Sequence, residues 1–176
     1  NISTHGVNPA LYRKLPYDAI KDFAPITRAS STANPLVVHP SVAAKSTKEF
    51  IALLKAKPGQ LNVATPGNGR SQHLATELFK SMAGGLQALH VPYKGSGPAM
   101  TALVAGESSW MIPTLTLSLP HINAHRIRVL GVTSPWNFPI YLALGPLATA
   151  LAAGNRCMIK TSEHAPAVST ALKALL

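Results

Sequence analysis

A strand, a glycine loop and a helix in direct succession constrain this chain more than any other stretch. Leu61-Asn62-Val63-Ala64-Thr65 alternates as a short strand does. Pro66-Gly67-Asn68-Gly69-Arg70-Ser71-Gln72 follows, a loop whose glycines permit positive φ and close approach of backbone to a ligand. His73 to Ala83 then carries Leu74, Leu78, Phe79 and Met82 at helical spacing, and Gly84-Gly85 stops it. A helix N-terminus presents free N–H groups and about half a unit of positive charge, which suits a carboxylate or a phosphate. The Arg70 guanidinium and the Ser71 hydroxyl add to that. The alternative is a tight strand-to-helix connection that holds nothing, and a single glycine-rich loop does not separate the two readings.

The flanking sequence repeats the pattern of strand, loop and helix. Asn8-Pro9 opens a short amphipathic turn through Leu11, Tyr12 and Leu15, and Phe23 to Ala29 reads as extended. Pro35-Leu36-Val37-Val38-His39 is a strand of buried type, closed by Pro40. Ser46-Thr47-Lys48-Glu49 predicts a capping box, with Ser46 bonding the Glu49 amide and Glu49 reaching back to Ser46. The helix it starts carries Phe50, Ile51, Leu53 and Leu54 and ends before Pro58-Gly59. Leu89-His90-Val91-Pro92 is a strand entering the loop Tyr93-Lys94-Gly95-Ser96-Gly97, and Pro98 to Ala105 is a short helix. Trp110-Met111-Ile112 predicts a strand, with Trp110 and Met111 as core. Leu115 to His125 is helical in part, and Arg126 to Thr133 is a strand. This alternation predicts an α/β fold, a mainly parallel sheet with flanking helices.

The 176 residues suffice for one domain, or one and a fragment. Sixteen Lys and Arg against six Asp and Glu leave a net charge of +10, which favours anionic partners. The basic residues are scattered, with little aromatic interleaving, so nucleic acid is not expected. Cys157 is the single cysteine, which excludes an internal disulfide and a thiolate zinc cluster. No stretch reaches the ~18 apolar residues of a membrane span, so no membrane insertion is expected. There is no signal-peptide pattern, and the start at Asn1 reads as an excerpt or a processed chain.

Three kinds of site can be written on these residues. The 67–71 loop and Lys94, Gly95 and Ser96 of the next loop would lie at one sheet edge, where ligands of α/β sheets collect. A serine hydrolase would need Ser71 or Ser96 as nucleophile, His73 or His90 as base and Asp18 or Asp22 as orienter, but no G-x-S-x-G elbow is present. A metal would draw on His121 and His125, four residues apart and on one helical face, but few carboxylates accompany them. Neither a metal site nor a cofactor is expected.

The segments "NPALYRKLPYDAIKDFAPIT", "LVVHPSVAAKSTKEFIALLKAKPGQLNVATPGNG", "HLATELFKSMAG", "HVPYKGSGPA" and "LPHINAHRIRVLGVTS" together resemble the Bug family. Its members are periplasmic substrate-binding proteins of tripartite tricarboxylate transporters, and the resemblance covers residues 1 to about 134. It implies a periplasmic location and two α/β domains closing on a small carboxylate. One carboxylate-holding loop would belong to the start of domain one. The other falls in domain two, at Gly67-Asn68-Gly69-Arg70-Ser71. The resemblance further implies a division into residues 1–34, the remnant of a first domain and crossing segment, and 35–134, a ligand-binding α/β domain. Two positions depart from the family pattern: a small hydroxyl residue usually stands at Arg70, and an acidic residue often at Pro113.

From Ser134 onward, "SPWNFPIYLALGPLATALAAGNRCMIKTSEHAPAVSTALKALL" resembles an aldehyde dehydrogenase of the coniferyl aldehyde type. That resemblance implies a helix–strand–helix segment over 135–176. It places Asn137 as an oxyanion donor, Trp136 near a nicotinamide, and Lys160 and Glu163 at an adenosine ribose, with Thr161 where the family has proline. The family's nucleophilic cysteine and general-base glutamate fall beyond the matched segment, and Cys157 does not correspond to that nucleophile. The whole therefore reads as a chimera joined near Thr133-Ser134-Pro135, expected to bind a small anion without catalysing a reaction. An aldehyde dehydrogenase-like oxidoreductase, a weak hydrolase, and a fusion with no evolved function as a unit stand as alternatives. Loss of the first domain would leave Leu11, Tyr12, Leu15 and Phe23 uncovered, so association into a homo-oligomer is expected.

Overall fold

In the computed structural model, residues 3–24, 26, 32–133 and 158–160 are described. A π-helical turn at Ser3–Val7 leads into α1 (Asn8–Leu11). Then come β1 (Asn34–Val38), α2 (Thr47–Ala56), β2 (Asn62–Thr65), α3 (Ser71–Met82), β3 (Leu89–Pro92) and α4 (Ser96–Val104). The series closes with β4 (Trp110–Met111), α5 (Leu115–Asn123), β5 (Arg128–Thr133) and β6 (Met158–Lys160).

Among the described residues the strands form one sheet in the order β3-β2-β4-β1-β5-β6. β2 pairs in parallel with β3 and β4, and β5 with β6, whereas β1 runs antiparallel to both β4 and β5. The sheet is thus α/β as expected but mixed, with β1 alone reversed. α3, α4 and α5 each link two strands of the same direction, the arrangement that needs a helical crossover. The alternation of side chains along the strands divides the core. Val37, Ala64, Met111 and Val129 meet Met100 and Leu103 of α4 and Ile122 of α5 on one face. Leu36, Val38, Val63, Trp110 and Leu130 meet Phe50 and Leu54 of α2 on the other, with Ala75 and Phe79 of α3 packed against them. Trp110 and Met111 are fully buried, as the sequence predicts.

Local chemistry sets the helix ends, and several differ from expectation. Ser46 caps α2 by accepting the Glu49 amide at 3.2 Å. The reciprocal half of the capping box differs: the Glu49 carboxylate accepts from the Lys45 amide at 2.8 Å, one residue before the cap. That still satisfies an amide and keeps the carboxylate at the positive end of the helix. α3 and α4 begin at Ser71 and Ser96, two residues earlier than their apolar periodicity indicates, so each glycine loop feeds straight into a helix. α5 ends at Asn123, and His125 lies beyond it at φ 54°. His121 and His125 therefore do not share a helical face.

The apolar stripe of α3 is also corrected. Leu74, Leu78 and Met82 are exposed at 38%, 61% and 73%. Of the expected stripe Phe79 does pack on the sheet, with Ala75 beside it, and Thr76 is buried. Phe79 decides this, because its ring packs edge-on to Trp110 (centroids 5.6 Å apart) and stacks on Phe50 (6.4 Å). At the other end of the sheet β6 pairs with β5, Gly131 opposite Met158 and Thr133 opposite Lys160. The helices expected on either side of β6 lie outside the described residues, as does most of the segment Phe23–Ala29.

Phe50 is fully buried at the centre of this aromatic cluster, with Trp110 edge-on at 5.4 Å. Phe50→Ala should lower unfolding stability by about 3–5 kcal/mol, whereas Leu78→Ala should stay within about 0.5 kcal/mol of wild type. Urea denaturation with m-values checked for constancy measures both.

Candidate functional site

The site is built where β2 and β3 end. These strands pair in register from Asn62 opposite Leu89 to Thr65 opposite Pro92, and the Tyr93 amide extends the ladder by donating to the Thr65 carbonyl at 2.8 Å. The 67–71 and 93–97 loops therefore leave the same sheet edge side by side, as the sequence suggests. Gly67 at φ 121°, Gly69 at φ 72° and Gly95 at φ 121° all occupy backbone that other residues rarely adopt. A side chain at Gly67 would come within 3.6 Å of the Tyr93 carbonyl, so the glycine lets the two loops approach. A side chain at Gly69 would meet Leu11 at 2.9 Å and Val7 at 3.6 Å, because the N-terminal turn packs over that glycine.

Each loop ends at a helix N-terminus without a side-chain cap: Arg70 precedes α3 and Gly95 precedes α4. Two helices, one on each face of the sheet, thus start at one edge of it with free amides, and each such terminus favours an anion. Asn68, Arg70 and Lys94 are exposed, while Gly67, Ser71, Gly95 and Ser96 are half-buried and Gly69 is buried. The Ser71 hydroxyl donates to the Gln72 side-chain carbonyl at 3.1 Å.

The hydrolase arrangement is not assembled. His73 Nδ1 accepts the Gly69 amide at 3.1 Å, and His90 Nε2 is hydrogen-bonded to the Thr65 hydroxyl, so neither ring serves a serine. The two imidazoles stack on each other instead, centroids 4.4 Å apart and 7° from parallel. Asp18 is exposed and accepts the Lys21 and Ile20 amides at 2.9 Å, which holds its carboxyl below the ordinary range. Asp22 accepts the Asp18 amide at 2.7 Å. Both aspartates close a local turn rather than orienting a base.

The stacked histidines are the feature that the one-dimensional reading missed. The signal lay in the register: a histidine opposite Val63 faces the same side of the sheet as Thr65, beneath the first turn of α3. Of the residues read from the dehydrogenase resemblance, Lys160 lies in β6, and Trp136, Asn137 and Glu163 fall outside the described residues.

A family profile described as the tripartite tricarboxylate transporter family receptor matches residues 1–139. The chain belongs to this receptor family. A UPF0065 protein from the tcbD-tcbE intergenic region of Pseudomonas sp. strain P51 is 38% identical over 128 residues, 73% of this chain and 38% of that protein. Rpa4515 of R. palustris with adipate superposes with a TM-score of 0.71 at 33% identity, over 88% of this chain and 52% of that one. MatC from Rhodopseudomonas palustris with bound malate gives a TM-score of 0.69 at 26% identity, over 80% and 48%. The receptor-family chain described here thus spans about two fifths of the length of its curated receptor relatives. A second profile, the aldehyde dehydrogenase family, matches residues 117–176. A probable coniferyl aldehyde dehydrogenase of Pseudomonas aeruginosa is 60% identical over 50 residues, 28% of this chain and 10% of that enzyme. Among the described residues no helix is long and apolar enough to cross a membrane.

Burial, and then the His73 ring against it, hold His90 below the ordinary histidine range, while Glu77 pulls the other way. A histidine with a lowered folded pKa binds fewer protons folded than unfolded. Stability should therefore rise with pH up to the unfolded value of about 6.5 and be lost as pH falls below it. Denaturant midpoints measured across this range should show that slope, and His90→Gln should flatten it.

Proposed function

We propose that the 67–71 and 93–97 loops bind a small carboxylate, the chain acting as the second-domain part of a periplasmic solute receptor. The observation that carries this reading is that two helices without side-chain caps and three positive-φ glycines lie at one sheet edge. Family membership and the adipate- and malate-bound neighbours support it. Gly67, Asn68, Gly69 and Gly95 bring backbone close to the ligand, and Ser71 and Ser96 supply hydroxyls. Arg70 and Lys94 add charge, Arg70 in the bidentate geometry suited to a carboxylate.

The dehydrogenase-like segment is carried as a fused piece, joined near Thr133-Ser134-Pro135, without turnover of its own. The match covers 10% of the enzyme, which supports a fragment rather than a working oxidoreductase. The uncovered apolar side chains, Leu11, Tyr12, Leu74, Leu78 and Met82 among them, favour self-association.

Calorimetry with adipate, malate and monocarboxylates tests the binding site. Wild type should bind a dicarboxylate saturably, and Ser71→Ala should weaken it about tenfold, the loss of one hydrogen bond to a charge. Gly69→Val should abolish binding, since φ 72° strains a β-branched residue and the side chain would collide with Leu11. Arg70→Thr should shift preference among the acids. Equal binding by all variants, or none by wild type, would reduce the loop to a structural turn. Sedimentation of wild type against Leu78→Glu tests association: the variant should shift towards monomer, and a monomeric wild type refutes that part.

A further inference from the structure

We infer that His73, braced by His90, is the positioning residue of the glycine loop, and that the loop keeps its anion-binding form only while the His73 ring is unprotonated. The inference rests on the carboxylate reading above for what the loop holds, but the positioning itself stands on geometry. The Gly69 amide donates to His73 Nδ1 at 3.1 Å, and an imidazolium has no lone pair there to accept it. Gly69 is also the residue at φ 72° beneath the N-terminal turn, so this one hydrogen bond pins the middle of the loop to the first turn of α3. Behind it the rings of His73 and His90 stack face to face at 4.4 Å, and His90 is tied to Thr65 at the end of β2. Loop, helix and both strands are thereby joined through two imidazoles.

Two like charges stacked so closely repel, so protonating either ring opposes protonation of the other, and protonating both breaks the stack. The burial and the neighbouring His73 that hold His90 low act in the same sense. The charged groups around the pair are few. Glu77 of α3 lies 4.0 Å from His73 Nε2, but its carboxylate is shared with Lys80 at 3.0 Å, which offsets its pull. β2 brings no titratable side chain. The N-terminal turn brings Val7 and Leu11, while its His5 is bonded to the Ala19 carbonyl at 3.2 Å and lies edge-on to Phe23, and Arg70 and Lys94 are exposed in the loops. Acid, by placing a proton on His73 Nδ1, releases Gly69.

The test follows the Gly69 amide and the imidazole nitrogens by NMR as pH falls from about 7.5 to about 5, with adipate affinity measured over the same range. The Gly69 signal of the wild type should shift with the histidine midpoints, its exchange should quicken, and adipate affinity should fall about tenfold or more. His73→Asn supplies a carbonyl acceptor that does not titrate. It should bind adipate more weakly than wild type, but with an affinity changing less than about twofold relative to a control for the acid's own protonation. His73→Phe keeps an aromatic ring but no acceptor, so its Gly69 amide should exchange rapidly at every pH. A Gly69 signal that stays fixed while His73 titrates overturns the inference, as does a His73→Asn variant as pH-sensitive as wild type. If Gly69 follows the histidines but adipate binds at no pH, the positioning stands and the carboxylate reading fails.

Discussion

The parallel hydrogen bonding of β2 to β3 is the constraint on which the rest depends. Its register, continued by the Tyr93 amide to the Thr65 carbonyl, fixes where both glycine loops leave the sheet. The loops lie side by side because the strands beneath them do, and each then turns into a helix that starts at the same edge. A parallel pair cannot be closed by a hairpin, so the crossover helix α3 must cover the sheet on its way back. The pairing of the two loops is a consequence of that topology.

The aromatic cluster holds the crossover in place. Phe79 reaches from α3 to Trp110 on β4 and Phe50 on α2, so one helix, one central strand and the neighbouring helix share a single packed unit. Rotating α3 to bury Leu74, Leu78 and Met82 would pull Phe79 out of that unit. It would also move His73 away from Gly69 and His90. The same orientation that exposes an apolar stripe therefore places the histidine under the loop, and stability and site geometry depend on one rotation.

Two family matches share this one sequence. Residues 1–139 match the receptor family and 117–176 the aldehyde dehydrogenase family, and the two matches overlap. In the described residues they meet at β5 and β6, where a strand from the dehydrogenase-like segment adds in parallel to the edge of the receptor sheet.

Local sequence determined much of this architecture. The strand–glycine–helix unit, the Ser46 cap, the buried Trp110 and Met111, and the kinship of both segments were legible from spacing and motif alone. These properties depend on near neighbours, or on segments long enough to identify a family. Other features required the assembled sheet. Periodicity marks an apolar stripe on α3, but of its members only Phe79 is packed into the core, against Trp110. A reversed β1 cannot be read from its composition, because Leu36, Val37 and Val38 suit either direction equally. His73 and His90 are seventeen positions apart by subtraction and belong to different elements, so only strand register and helix rotation could stack them.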